Sequence, residues 1–238
     1  MGERANPAFA AGAVAVPVAV LLAAALFGSV QHLTYAHVMA GVLWTGTDLF
    51  MALVLGPVLG GLSVETRADV FRRFTPKMTF LMPSLALVTI AGGITLALRV
   101  GRFPNADPWL ALFTAASLLP ALALVGWQFD ALTDWRWLVP FGAALVAVGA
   151  FLATTLPAFA MTSHAIAATL AIVTVLSVLG FGVLLPGEVR MYREMVSADP
   201  DADVISRIGM RNAKLAGVQG AFQLAVVAVM VSLRYGGF

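Results

Sequence analysis

The sequence predicts an all-α polytopic membrane bundle of about seven transmembrane helices. Three observations predict it. Only 11% of the 238 residues are charged while 61% are hydrophobic. Seven apolar stretches are each long enough to cross a bilayer, which takes about 20 residues. Lysine and arginine gather in two short connections. Soluble domains carry about a quarter charged residues, so a chain this poor in polar surface cannot face water on all sides, and lipid is its solvent. The whole chain, 1–238, reads as one transmembrane domain. It has no cysteine, which removes disulfides, thiolate metal sites and cysteine nucleophiles and leaves the redox compartment undetermined.

The first span, Phe9–Gly28, follows Met1-Gly2-Glu3-Arg4. It is long enough to cross and lacks a clear cleavage site, so it reads as a helix rather than a signal peptide. The second, Thr34–Gly60, and the third, Met78–Val100, flank a connection holding Arg67, Arg72, Arg73 and Lys77. The fourth, Trp109–Trp127, and the fifth, Trp137–Leu156, carry tryptophans at their ends, where an aromatic belt places them. The sixth, Ser163–Leu185, and the seventh, Ala213–Leu233, flank Arg190, Arg193, Arg207, Arg211 and Lys214. Pro17, Pro83, Pro120 and Pro140 fall inside spans, which membrane helices tolerate. The two basic connections lie on one side because four helices separate them, so the N-terminus is expected to be cytoplasmic. Arg99 and Arg102 fall on the other side and oppose this orientation.

An internal repeat is suggested, relating helices 1–3 to helices 5–7 in the same orientation with the fourth as connector. His37 to Pro57 resembles His164 to Pro186. Ala68-Asp69-Val70-Phe71-Arg72-Arg73-Phe74 resembles Ala202-Asp203-Val204-Ile205-Ser206-Arg207-Ile208.

The histidines are His32, His37 and His164. Under the repeat, His37 and His164 sit at similar depth on two helices, an arrangement that suits two imidazoles on opposite faces of one haem iron. Gly41 and Ala168 follow them by one turn and leave room for a flat macrocycle. The alternative is that the histidines cap helix ends or bond a carbonyl. His37, Gly41, Trp44, Asp48 and Met51 form one stripe at the helical period. Asp48 lies ~16 Å along the axis from His37, near mid-membrane. An ionised carboxylate there costs at least ~2.5–3.5 kcal/mol. It is expected either to serve a proton or cation path or to stay neutral, hydrogen-bonded to a neighbour such as Gln219 or Gln223. Met39 and Met161, near the histidines, open a copper reading, since thioether and imidazole suit Cu(I). Phosphate-binding glycine loops, zinc-protease helices and serine-hydrolase elbows are missing. The basic segments sit at helix starts, where topology explains them, so nucleic acid is not an expected partner.

The stretch His37-Val-Met-Ala-Gly-Val-Leu-Trp44-Thr-Gly46, then Gly56-Pro57, an arginine-containing connection and Thr89-Ile-Ala-Gly92-Gly93, resembles the copper-resistance protein D family of membrane proteins. It is similar, more distantly, to the HemJ-type protoporphyrinogen oxidases. The resemblance covers about Thr34 to Leu98, and only His37 and Trp44 carry over as motif positions. It implies haem b held by a membrane histidine on one side and copper import on the other. The later-helix lysine of the HemJ-type proteins has no secure counterpart here. The expected function is therefore a haem-b protein for electron transfer or oxidation of a small membrane-soluble donor. The alternatives are a copper (metal-ion) importer or a helical subunit of a larger complex. Expected partners are the lipid bilayer and other membrane subunits or an electron-transfer partner, in a prokaryotic cytoplasmic membrane.

Overall fold

The computed structural model describes residues 1–235. After a single turn at Gly2–Ala5 come seven helices long and apolar enough to cross a membrane. They are α1 Pro7–Leu26, α2 Val30–Gly60, α3 Val64–Arg99, α4 Ala106–Gln128, α5 Trp135–Ala158, α6 His164–Met195 and α7 Ala202–Tyr235. The described residues contain no strand. The chain is an all-α integral membrane protein.

Two compact units form. The first holds Met1–Val100 with Gly187–Ala221, and the second holds Gly101–Pro186 with the remainder of α7. In the first unit α3 packs against both α1 and α2, and in the second α4 packs against α5 and α6.

The apolar runs sit where expected, but four helices overshoot them. α3 has 36 residues and α7 has 34. At 1.5 Å per residue each is over 50 Å long, against a hydrocarbon core of ~30 Å. The basic segments expected as loops are therefore helix. α3 starts at Val64 because Ser63 caps it, its Oγ accepting from the Thr66 N–H at 3.3 Å. α7 starts at Ala202 because the Asp201 carboxylate accepts from the Asp203 and Val204 N–H groups. Both caps satisfy donors that a helix start leaves open. In the first unit, the overshooting ends of α2, α3, α6 and α7 bury one core: Leu59, Ala68, Phe71, Met191, Met195, Ile205 and Ile208. The phenyl ring of Phe71 lies on Gly209, where an added Cβ would stand 2.4 Å from the ring.

α2 and α6 share a second feature. Each widens by one residue just before a proline, at Met51–Leu55 ahead of Pro57 and at Gly180–Leu184 ahead of Pro186. The residue before each proline bonds five back: Gly56 N–H to Met51 O, and Leu185 N–H to Gly180 O. A proline ring collides with the carbonyl four back and offers it no N–H; the wider turn moves that carbonyl aside. In α6 the deserted acceptor, Gly182 O, is taken by the Gln128 side-chain amide of α4.

The cations that opposed the orientation have structural employment. Arg99 donates to the carbonyls of Ala24, Ala25 and Gly28 at the C-terminal end of α1. Arg102 donates to Leu233 O near the end of α7. A cation at a helix C-terminus is favoured by its open carbonyls and dipole.

Candidate functional site

His37 is half-buried on α2 in the first unit. Its Nδ1 lies 2.8 Å from Thr89 O on α3. A carbonyl only accepts, so Nδ1 carries the proton and the lone pair of the neutral ring sits on Nε2. The ring lies over Gly93, where an added Cβ would come within 2.8 Å of Cε1 and 3.6 Å of Nε2. Gly92 stands against the His37 Cβ in the same way, at 3.4 Å. The glycine pair thus gives the imidazole its place, and the Thr89 carbonyl sets its tautomer and rotation. A fixed ring with Nδ1–H on a carbonyl and Nε2 open is how metal-ligating histidines are oriented. An imidazole so held could ligate a metal or a haem iron through Nε2.

The other residues singled out from the sequence lie apart from this ring. Gly41 faces α3, and the room it leaves is taken by the Thr89 methyl, 3.4 Å from an added Cβ. Trp44 and Asp48 are buried on the same face of α2, at 5% and 3% exposure. His164 lies in the second unit, exposed, at the first residue of α6. Aligning the two bulges and their prolines pairs His37 with the buried Ile166, not with His164, and Asp48 with the buried Ser177. The register that made the two histidines equivalent is off by two residues, and two residues turn a helix to another face. Ala168, one turn on, is exposed as well. His32 is a cap: its Nδ1 lies 3.2 Å from the Ser29 backbone nitrogen and 2.9 Å from Ser29 Oγ, at the start of α2. Met39 is exposed, two residues from His37 and so on a different side of α2. Met161 is also exposed, with its carbonyl held by the Asn105 amide.

Glu188 joins the site without having stood out in the sequence. It belongs to the first unit, half-buried near the end of α6. It hydrogen-bonds the Thr79 side chain of α3 and lies close enough to Asp48 to feel its charge. The Thr79 hydroxyl also reaches Thr75 O at 3.0 Å, so it has one proton for two acceptors. Asp48 thus has a second acid near it rather than standing alone. The sequence does hold a signal for this. Gly56-Pro57 reads inside the second helix, and by the repeat Leu185-Pro186 belongs inside the sixth, which puts Glu188 on a helix rather than in a loop. Among the described residues, no three His, Asp or Glu side chains gather as a metal site.

Comparison with known proteins places no relative beside this geometry: no family model matches the chain, and neither a curated protein nor a solved structure gives a significant match.

Proposed function

We propose that this protein binds haem b within a prokaryotic cytoplasmic membrane, with His37 as an axial ligand, and serves electron transfer or the oxidation of a small membrane-soluble donor. The observation that carries this reading is the Nδ1–Thr89 O bond over the Gly92-Gly93 step. It holds one nitrogen as donor and leaves the other as a lone pair, at some cost in packing freedom on α3. Bound haem would supply a one-electron couple, and saturation of its iron by a second ligand beside His37 would favour electron transfer over oxygen binding. The more distant similarity of Thr34 to Leu98 to the HemJ-type proteins points the same way, whereas its resemblance to the copper-resistance protein D family points to the reading below.

The carboxylates favour a second reading, a metal-ion importer with copper as its cargo. Asp48 and Glu188 within electrostatic reach of each other provide a pair of acids on one path through the first unit. Carboxylate oxygens are hard donors and suit a proton or a hard cation better than Cu(I), so in that reading they carry a coupled proton while the His37 imidazole meets the metal. The visible spectrum and metal content of the purified chain separate the two. A Soret band with sharp α/β bands on reduction is the expected result. A colourless protein that retains copper, and whose uptake slows on Asp48→Asn, replaces the haem reading with the importer.

A further inference from the structure

The first unit carries an open apolar groove of about 240 Å³ between α2 and α3. Leu43, Gly46, Thr47 and Phe50 line it from α2, and Phe74 and Met78 line it from α3. No polar group in it awaits a partner, because the Thr47 hydroxyl is already donated to Leu43 O at 2.7 Å. Nothing stands within 4 Å of an added Cβ at Gly46, so this residue leaves a gap in the wall of α2. The groove lies on a different face of α2 from His37 and Asp48 and is not part of the site described above.

Its α3 end lies at the membrane boundary. From Met78 to Leu98 the chain has no charged residue, and Lys77 is the last cation before that run. Arg73 and Lys77 each precede a groove residue by one position, and both are exposed. Neither has an ion-pair partner among the described residues, whereas the neighbouring Arg72 is tied to Asp69 at 2.8 Å. Two uncommitted cations at the interface end of an apolar groove match a ligand with an anionic head and a hydrocarbon tail. The chemistry of a bilayer supplies one such ligand in quantity.

We propose that this groove is a binding site for an anionic glycerophospholipid. One acyl chain lies along Leu43, Gly46 and Phe50, and the phosphate is held by Arg73 and Lys77. Long cationic side chains reach a headgroup from such positions while their stems cover apolar surface. Each cation near an anionic lipid surface is worth roughly a factor of five in binding.

The test is native mass spectrometry of the purified full chain after exchange into equimolar phosphatidylglycerol and phosphatidylcholine. Wild type is expected to keep phosphatidylglycerol in preference to phosphatidylcholine. Arg73→Gln/Lys77→Gln should weaken that retention by more than about tenfold. Gly46→Leu keeps every charge and fills open space, so it should fold and still lose the retained lipid. Arg207→Gln/Lys214→Gln removes as much charge from α7 and should leave retention unchanged. Three results each overturn the site: no preference in wild type, full retention by Gly46→Leu, or an equal loss in the α7 variant, which would mean diffuse surface charge alone.

Discussion

Gly93 decides where the His37 ring can lie. An alanine there would press its Cβ to 2.8 Å from Cε1, and the ring must swing away from α3 and from Thr89 O. Gly93→Ala is therefore expected to destabilise the protein by about 1–3 kcal/mol through overpacking, read as a lower thermal midpoint in detergent. Any bound haem should show a weakened low-spin signature as well. Gly142→Ala, where nothing stands within 4 Å, should change neither. At this scale the sequence is readable in part. The stripe through Trp44 and Asp48 is buried as its period requires, because helical geometry alone places residues three and four apart on one face. That His37 owes its orientation to Thr89, Gly92 and Gly93 rests on the packing of α2 against α3, and no spacing within one helix encodes it. The pairing of His37 with His164 fails to carry over as an equivalence because the bulges and prolines, rather than the histidines, set the register between α2 and α6.

Among the elements, the two widened turns before Pro57 and Pro186 matter most. The one in α6 leaves Gly182 O to be met by Gln128. Gln128→Leu removes that donor, and a carbonyl left unmet away from water costs about 1–3 kcal/mol. Pro186→Ala restores a backbone N–H, so the double variant should recover part of the loss in thermal unfolding; additive losses would show that the amide matters for another reason. Gly209→Ala tests the base formed by the overshooting helices. Its Cβ would meet the Phe71 ring at 2.4 Å, and a loss of about 1–3 kcal/mol is expected. Hydropathy locates all seven helices because it reports where lipid is. It places the starts of α3 and α7 too late and the end of α6 too early because it does not report where a helix is capped. Those ends are set by Ser63 and Asp201 and by the core of Phe71, Met191 and Ile205, which lies beyond the apolar runs. The paired segments Ala68 to Phe74 and Ala202 to Ile208 play matching parts there. Phe71 and Ile205 are both buried in it, and Asp69 and Asp203 each hold an arginine one turn on.

For the whole molecule, the orientation follows from Arg67, Arg72, Arg73 and Lys77 on α3 and from Arg190, Arg193, Arg207, Arg211 and Lys214 on α6 and α7, all expected on the cytoplasmic side. The cysteine-free chain makes accessibility labelling clean. Thr66→Cys and Asp199→Cys should be shielded from an impermeant reagent in intact cells, and Ala160→Cys should react; the reverse pattern would invert the topology. Arg99→Gln/Arg102→Gln should leave that pattern unchanged, since both arginines hold helix-end carbonyls. The proposed ligation of haem b by His37 is decided by the reduced-minus-oxidised visible spectrum of wild type, His37→Ala and His32→Ala purified from the same haem-replete membranes. A low-spin haem b spectrum is expected in wild type and in His32→Ala, and its loss or conversion to high spin in His37→Ala. An unchanged low-spin spectrum in His37→Ala, or a wild-type protein that never carries haem, would contradict it.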